Sequence, residues 1–261
     1  MAIITFHSYR GGTGKSTLVA NFATAMALRG KRVGVLEFDT LSPGLRILFN
    51  VNAQTRCHLN DLLWGEGQLE EAVLDLTQTL HGGEESGRLF LLPASQKGED
   101  IFKLLRDGYS AHLCMSIIRE FQESYDLDLL FIDTHPGFEE DTLIALTASE
   151  LIVVVLRMDE QDYFGAKIAA DINKTINKRL FLLFNMVPYE NLQTHEVSFF
   201  TNGISRLLGV PIIGIIPFYQ DLLAATNRRL FVADAERHPF STTVNTIASR
   251  LMEELNSWLK T

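Results

Sequence analysis

The sequence predicts one α/β domain in which a doubly wound, mostly parallel sheet carries helices on both faces. Three observations support this. Seven short runs have an apolar centre with no alternation of polar residues, the pattern of strands buried from both sides. Helix-length segments separate most of them, long enough for the crossovers that parallel neighbours need. The first run leads through a glycine-rich loop, "SYRGGTGKST" at 8–17, directly into a helical pattern.

"AIITF" is the first strand. The following "KSTLVANFATAMALRG" places Leu18, Phe22, Ala25 and Met26 on one helical face, and Gly30 suits its stop. "KRVGVLEFD" is the second strand. Residues 40–75 break the rhythm with short helical pieces around "HLNDLLWGEGQLEEAV", and "HGGEESG" at 81–87 reads as a polar surface loop. "GRLFLLPAS", "LDLLFIDT", "ELIVVVLR", "KRLFLLFNMV" and "VPIIGIIP" supply the remaining strands. "DEQDYFGAK" at 159–167 reads as a helix start whose acids suit the positive end of the dipole. In "FSTTVNTIASRLMEELNSWLKT", Val244, Ile247, Leu251, Leu255 and Trp258 form one stripe, the mark of a last helix packed on the sheet. No repeat or linker interrupts the chain, so residues 1–261 are read as a single domain.

With 46% apolar and 21% charged residues, the chain has an ordinary globular balance. Apolar runs such as "LIVVVL" at 151–156 are far too short to cross a bilayer. The N-terminus does not read as a secretion signal, and Cys57 and Cys114 stand outside any metal or redox spacing. The expected location is therefore cytoplasmic. A net charge of −9 argues against a chain coated in nucleic acid. Residues 1–171 hold 14 basic and 25 acidic side chains and residues 172–261 hold 9 and 7, which leaves a local basic face in the last third open.

The loop carries the chemistry. Gly11, Gly12 and Gly14 permit a tight bend that turns N–H groups onto an anion, with Thr13 and Thr17 beside them. The helix beginning near Lys15 adds its positive end. Lys15 suits β- and γ-phosphates, and the Ser16 hydroxyl suits a magnesium ion. Tyr9 stands where the strict pattern has its first glycine, a position that serves the turn rather than the phosphate. Two acids end strands. Asp133 in "LLFIDTHPG" is placed to hold a magnesium-bound water, with Pro136 and Gly137 just beyond. Asp39, 24 residues after Lys15, is placed to orient the attacking water or the magnesium shell. One such acid alone is ordinarily a helix cap; three features in order at one sheet edge indicate nucleotide binding. His7 and His135 lack metal spacing and read as structural or loop residues.

These residues resemble those of the MinD/ParA family of deviant Walker A (P-loop) ATPases. That family's loop reads basic-Gly-Gly-x-Gly-Lys-Ser/Thr, matched by Arg10, Gly11, Gly12, Thr13, Gly14, Lys15 and Ser16. "LEFDTLSPGL" resembles its first switch, with Asp39 at the hydrolytic aspartate, and "IDTHPG" its second. "LNDLLWGEGQLEEAV" followed by "LFLLPAS" is similar to the MinD branch. The resemblance runs over about residues 1 to 250 and keeps every motif in order. It implies a P-loop NTPase fold, ATP/ADP and Mg2+ as ligands, and slow, partner-stimulated hydrolysis. It implies metal contacts from Ser16, Asp39 and Asp133. It also implies that Asn185 in "LFNMV" contacts adenine, with Pro217, Tyr219 and Asp221 of "GIIPFYQDLLAATNRRLFV" near the ring. The implied cycle joins two subunits on ATP, releases them on hydrolysis, and works with an activator or cargo-adaptor protein to position a cargo.

The family has a signature lysine, reaching across the dimer interface, where this chain has Arg10. Arginine's fixed charge and forked donors also suit phosphate oxygens. A local ion pair for Arg10 is the alternative, and Arg157 is a second candidate for the interfacial cation. Arg228, Arg229, Arg237, Arg250 and Lys260 leave nonspecific DNA binding open. Glu253 and Glu254 argue against direct membrane binding by the last helix, because membrane-surface helices are usually basic. A weakly hydrolysing scaffold for a secretion, pilus or division machine is the second reading. A metabolic enzyme of the same superfamily is the third, and the nitrogenase iron protein is disfavoured because its cluster cysteines have no match.

Overall fold

The computed structural model describes residues 1–51, 55–80, 86–192, 195–225 and 229–260. Most of the loop expected at 81–87, and Arg228, lie outside the described residues. The strands are β1 (Ala2–His7), β2 (Arg32–Phe38), β3 (Leu74–Asp75), β4 (Arg88–Leu92), β5 (Leu129–Thr134), β6 (Leu151–Leu156), β7 (Arg179–Val187) and β8 (Ile212–Pro217). Seven are the runs marked by the sequence. The addition is β3, paired antiparallel with β4 and too short to show an alternating pattern. All other pairings are parallel, in the order β3-β4-β2-β5-β1-β6-β7-β8.

Helices α1 (Lys15–Ala27), α2 (Leu45–Leu48), α3 (Leu59–Leu63), α4 (Leu69–Ala72), α5 (Gly98–Asp107), α6 (Ala111–Ser124) and α7 (Glu140–Ala148) fill the first half. The second half holds α8 (Glu160–Ile176), α9 (Tyr189–Leu192), α10 (His195–Leu208), α11 (Gln220–Ala224), α12 (Phe231–Asp234) and α13 (Pro239–Trp258). Strand alternation deals side chains to both faces. Ile4 and Phe6, Val33 and Val35, and Leu129 and Phe131 join a core with α1 and α13. Ile3, Leu36, Phe38, Leu130 and Ile132 face the opposite core, built with α3, α6 and α7. On α13, Val244, Ile247, Leu251 and Leu255 are buried, each worth about 1.5–3 kcal/mol. That burial holds the last helix on the sheet, as its stripe indicated.

Because β1, β2, β5 and β7 run parallel, their C-terminal tips share one edge. Chain order reverses at β1, which lies between β5 and β6, the arrangement that opens a crevice at the strand ends. Phe6 and Glu37 flank Asp133 in register. Glu37 is fully buried there; its Oε1 accepts the N–H of Gly44 (2.7 Å) and Leu45 (2.6 Å), and its Oε2 that of Ala94 (3.0 Å). It thus ties the segment after β2 to the segment after β4. Burial pushes this carboxyl up to about 7, against the backbone donors and with help from Asp133. The folded value lies above the ordinary 4.5, so this stabilisation is complete below 4.5 and lost as pH rises through about 7. Melting temperature should therefore fall more steeply between pH 5 and 8 in the wild type than in Glu37→Gln. Parallel pH curves would contradict this.

Candidate active site

In the loop after β1, Gly12 (φ 78°) and Gly14 (φ 82°) take left-handed backbone, whereas Tyr9 does not. The turn therefore does not require glycine at position 9. The Tyr9 ring packs instead near Phe138 and Phe164, with centroids 6.2 and 6.0 Å away. Gly165 of α8 makes room for it, since a Cβ there would lie 2.1 Å from the Tyr9 Cβ. Helix α1 starts at Lys15 with no side-chain cap and no acid in its first turn, leaving its first N–H groups for an anion. A Cβ on Gly14 would lie 2.5 Å from Asn185 Nδ2 and 3.1 Å from Met186 Cε, whereas one on Gly12 would meet nothing within 4 Å. Gly14→Ala is expected to weaken nucleotide binding at least about tenfold more than Gly12→Ala, which carries only the left-handed backbone cost of about 1–2 kcal/mol. Equal affinities by titration would refute the steric argument.

The loop residues Gly11, Gly12, Thr13, Gly14, Lys15, Ser16 and Thr17 line a cavity of about 450 Å³ with Asp39 and Pro136, a volume ordinary for a small-molecule site. Lys15 is 5% exposed, and its Nζ lies 2.5 Å from Asp133 Oδ1. Burial pushes the Asp133 carboxyl up, while Lys15 and then the Ser16 hydroxyl pull it back. Asp39 is buried at the tip of β2, and its Oδ1 accepts the Ser42 N–H (3.1 Å) and pairs with His135 Nδ1 (2.9 Å). That hydrogen bond pushes His135 above its ordinary value. Sequence reasoning read His135 as a structural or loop residue and missed its contact with Asp39, which spans 96 positions. His7 is structural as expected; burial and then Lys15 push it down to about 3, and its ring packs on Phe138 at 4.6 Å.

Ser16 and Asp39 line the cavity, whereas Asp133 is not among its lining residues and is paired to Lys15. The donor set expected for a metal, one hydroxyl and two carboxylates, is all oxygen. It suits Mg2+, which keeps waters and substrate phosphates among its ligands. Among the described residues no group of three His, Cys, Asp or Glu forms a protein-only metal cage.

Arg10 is engaged within the chain. Its Nε donates to Asp162 (2.8 Å), its Nη1 to Gln161 (2.6 Å) and its Nη2 to Asp159. Arg157 lies 3.6 Å from the same two carboxylates. The two candidate interfacial cations thus converge on the start of α8, where Asp159 caps the helix through the Asp162 N–H. The expected helix start is present, and its acids serve these arginines as well as the dipole.

Asn185 Nδ2 donates to the Thr13 carbonyl (2.7 Å), tying β7 to the loop. With Gly14, Thr17, Pro217, Phe218 and Tyr219 it lines a second cavity of about 50 Å³, with room for only a few waters. Seating a base there requires lining side chains to move. Asp221 is not among the residues lining this cavity; its carboxylate accepts the His238 Nε2–H at 2.7 Å. Of the expected basic face, Arg237, Arg250 and Lys260 are exposed, and Arg229 is turned onto the Asp234 carbonyl and the Phe231 ring. No described helix is long and apolar enough to cross a membrane.

A glycine loop leading into an uncapped helix, flanked by acids at parallel strand tips, defines a phosphate-loop nucleotide-binding domain. The model of the CobQ/CobB/MinD/ParA nucleotide binding domain matches residues 4–231, and the chain belongs to that family, as a P-loop ATPase of the MinD/ParA type. It is 29% identical over 259 residues to the flagellum site-determining protein YlxH of Helicobacter pylori, covering 97% of this chain and 83% of that one. Among solved structures it is similar to the MinC:MinD cell division protein complex of Aquifex aeolicus, with 25% identity, a TM-score of 0.78 and 97% and 96% of the two chains covered. It also shares its fold with the septum site-determining protein MinD of Pyrococcus horikoshii complexed with Mg-ADP, with 17% identity, a TM-score of 0.78 and 98% of each chain covered.

Proposed function

We propose that this chain binds ATP with magnesium, hydrolyses it slowly, and uses the terminal phosphate to switch between monomer and dimer in the cytoplasm while positioning a cellular cargo. The observation that carries this is the convergence of Lys15, Ser16 and Asp39 on one cavity, with Asp133 paired to Lys15. Loop N–H groups and Lys15 would hold the phosphates; Ser16, Asp39 and Asp133 would hold the metal; Asp39 would orient the attacking water; Asn185 and the Pro217–Asp221 segment would frame the base. Magnesium supplies neutralisation of phosphate charge when bound. The names of relatives that determine a flagellum site or septum site support cargo placement. Nonspecific DNA is a candidate surface, carried by Arg237, Arg250 and Lys260.

Light scattering without nucleotide, with ADP and with ATP, beside phosphate release, tests this reading. A dimer mass only with ATP is expected. A monomer throughout that still releases phosphate would leave an ATPase and remove the switch. The capture of Arg10 by α8 favours a second reading, a scaffold that hardly hydrolyses; phosphate release indistinguishable from background, even with cell extract, would select it.

A further inference from the structure

We infer that His135 is a positioning residue for Asp39, anchoring one carboxylate oxygen so that the other is presented to the attacking water. This rests on the hydrolytic reading of Asp39 above. Both hydrogen bonds to this carboxylate fall on one atom: the Ser42 N–H and His135 Nδ1 reach Oδ1 at 3.1 and 2.9 Å. Among the described residues, Oδ2 has no hydrogen-bond partner. Asp39 lines the phosphate-loop cavity, so the remaining oxygen is the acceptor left for a water there. A carboxylate oxygen accepts and does not donate, so Nδ1 carries the hydrogen. Two donors on one oxygen arrest the rotation that would otherwise spread the carboxylate over several orientations, and such alignment is where catalytic rate is gained.

His135 is itself held. The Thr142 hydroxyl of α7 donates to its carbonyl (3.3 Å). Two residues earlier Asp133 is paired with Lys15, and two residues later the Gly137 N–H donates to the Ser8 carbonyl (3.0 Å). The imidazole therefore joins the segment after β2 to the segment after β5, in a contact whose side chains are 9% and 20% exposed.

His135→Asn keeps a donor near the place of Nδ1, His135→Gln moves it toward Nε2, and His135→Ala removes it. In single-turnover hydrolysis with Mg2+ and ATP, H135A should slow the chemical step about tenfold or more. ATP affinity should stay within about twofold, with the wild-type melting temperature. H135N should regain most of the rate and H135Q should not. On an Asp39→Ala background H135A should cost nothing further, because groups acting as a unit are not additive. A full rate in H135A, a loss that tracks ATP affinity or thermal stability, or an H135N as slow as H135A would each overturn the inference. Asp39→Ala at the wild-type rate removes the hydrolytic reading and this inference together, whereas a slow Asp39→Ala beside a full-rate H135A removes only the inference.

Discussion

Replacing Lys15 by Met should weaken ATP binding by roughly 10²–10³-fold, the loss expected when one partner of a buried, hydrogen-bonded charge pair is truncated. Lys15 is almost fully buried and, among the described residues, has Asp133 alone as its ion-pair partner, so a phosphate arriving in the cavity finds this ammonium already desolvated and aimed from one side. The same substitution strands Asp133, which is 1% exposed, without its cation. An uncompensated buried charge costs several kcal/mol, and the melting temperature of the nucleotide-free protein should fall. Burial already pushes the Asp133 carboxyl up; without Lys15 it takes up a proton more readily, so the deficit should shrink as pH is lowered. Lys15→Met combined with Asp133→Asn should regain stability without regaining ATP. Isothermal titration and melting curves read both effects, and ATP affinity unchanged in Lys15→Met would remove the phosphate role.

On the proposed switch, Arg10→Ala should abolish the ATP-dependent dimer while leaving ATP bound. If Arg10 acts across the interface, turnover should fall by about 10³, the low end for a cation supplied in trans. Within the chain this guanidinium is held by Asp159, Gln161 and Asp162. To reach a partner's phosphates it must leave them, and Arg157, 3.6 Å from both carboxylates, is placed to take over. Asp159→Ala, which removes the more exposed of the two acids, should therefore raise the dimer fraction at limiting ATP, and Arg157→Ala should leave the dimer intact. Sedimentation in ATP checks all three variants. A wild-type dimer in Arg10→Ala, together with its loss in Arg157→Ala, would assign the interfacial cation to Arg157.

The parts that were legible are local. The seven long strands show in the sequence because a strand covered on both faces is apolar along most of its length, without alternation. β3 does not show, because two residues have no period. The glycine loop is legible because its bend is made by consecutive residues, and Gly12 and Gly14 are the left-handed positions that need glycine. Tyr9 shows the limit of pattern matching: its fit depends on Gly165, distant in sequence, and not on the turn.

By itself, then, the sequence determined the layered α/β fold, the glycine-rich loop and the strand-tip acids Asp39 and Asp133, since each depends on neighbours along the chain. Only the tertiary structure decided that Arg10 sits on the acids of α8, that Asn185 closes on Thr13, and that His135 anchors Asp39. Those contacts span 96 to 172 positions. They are made when parallel strands bring separate tips to one edge, and hydrogen-bond geometry across such distances leaves no periodic trace in the residues that make it.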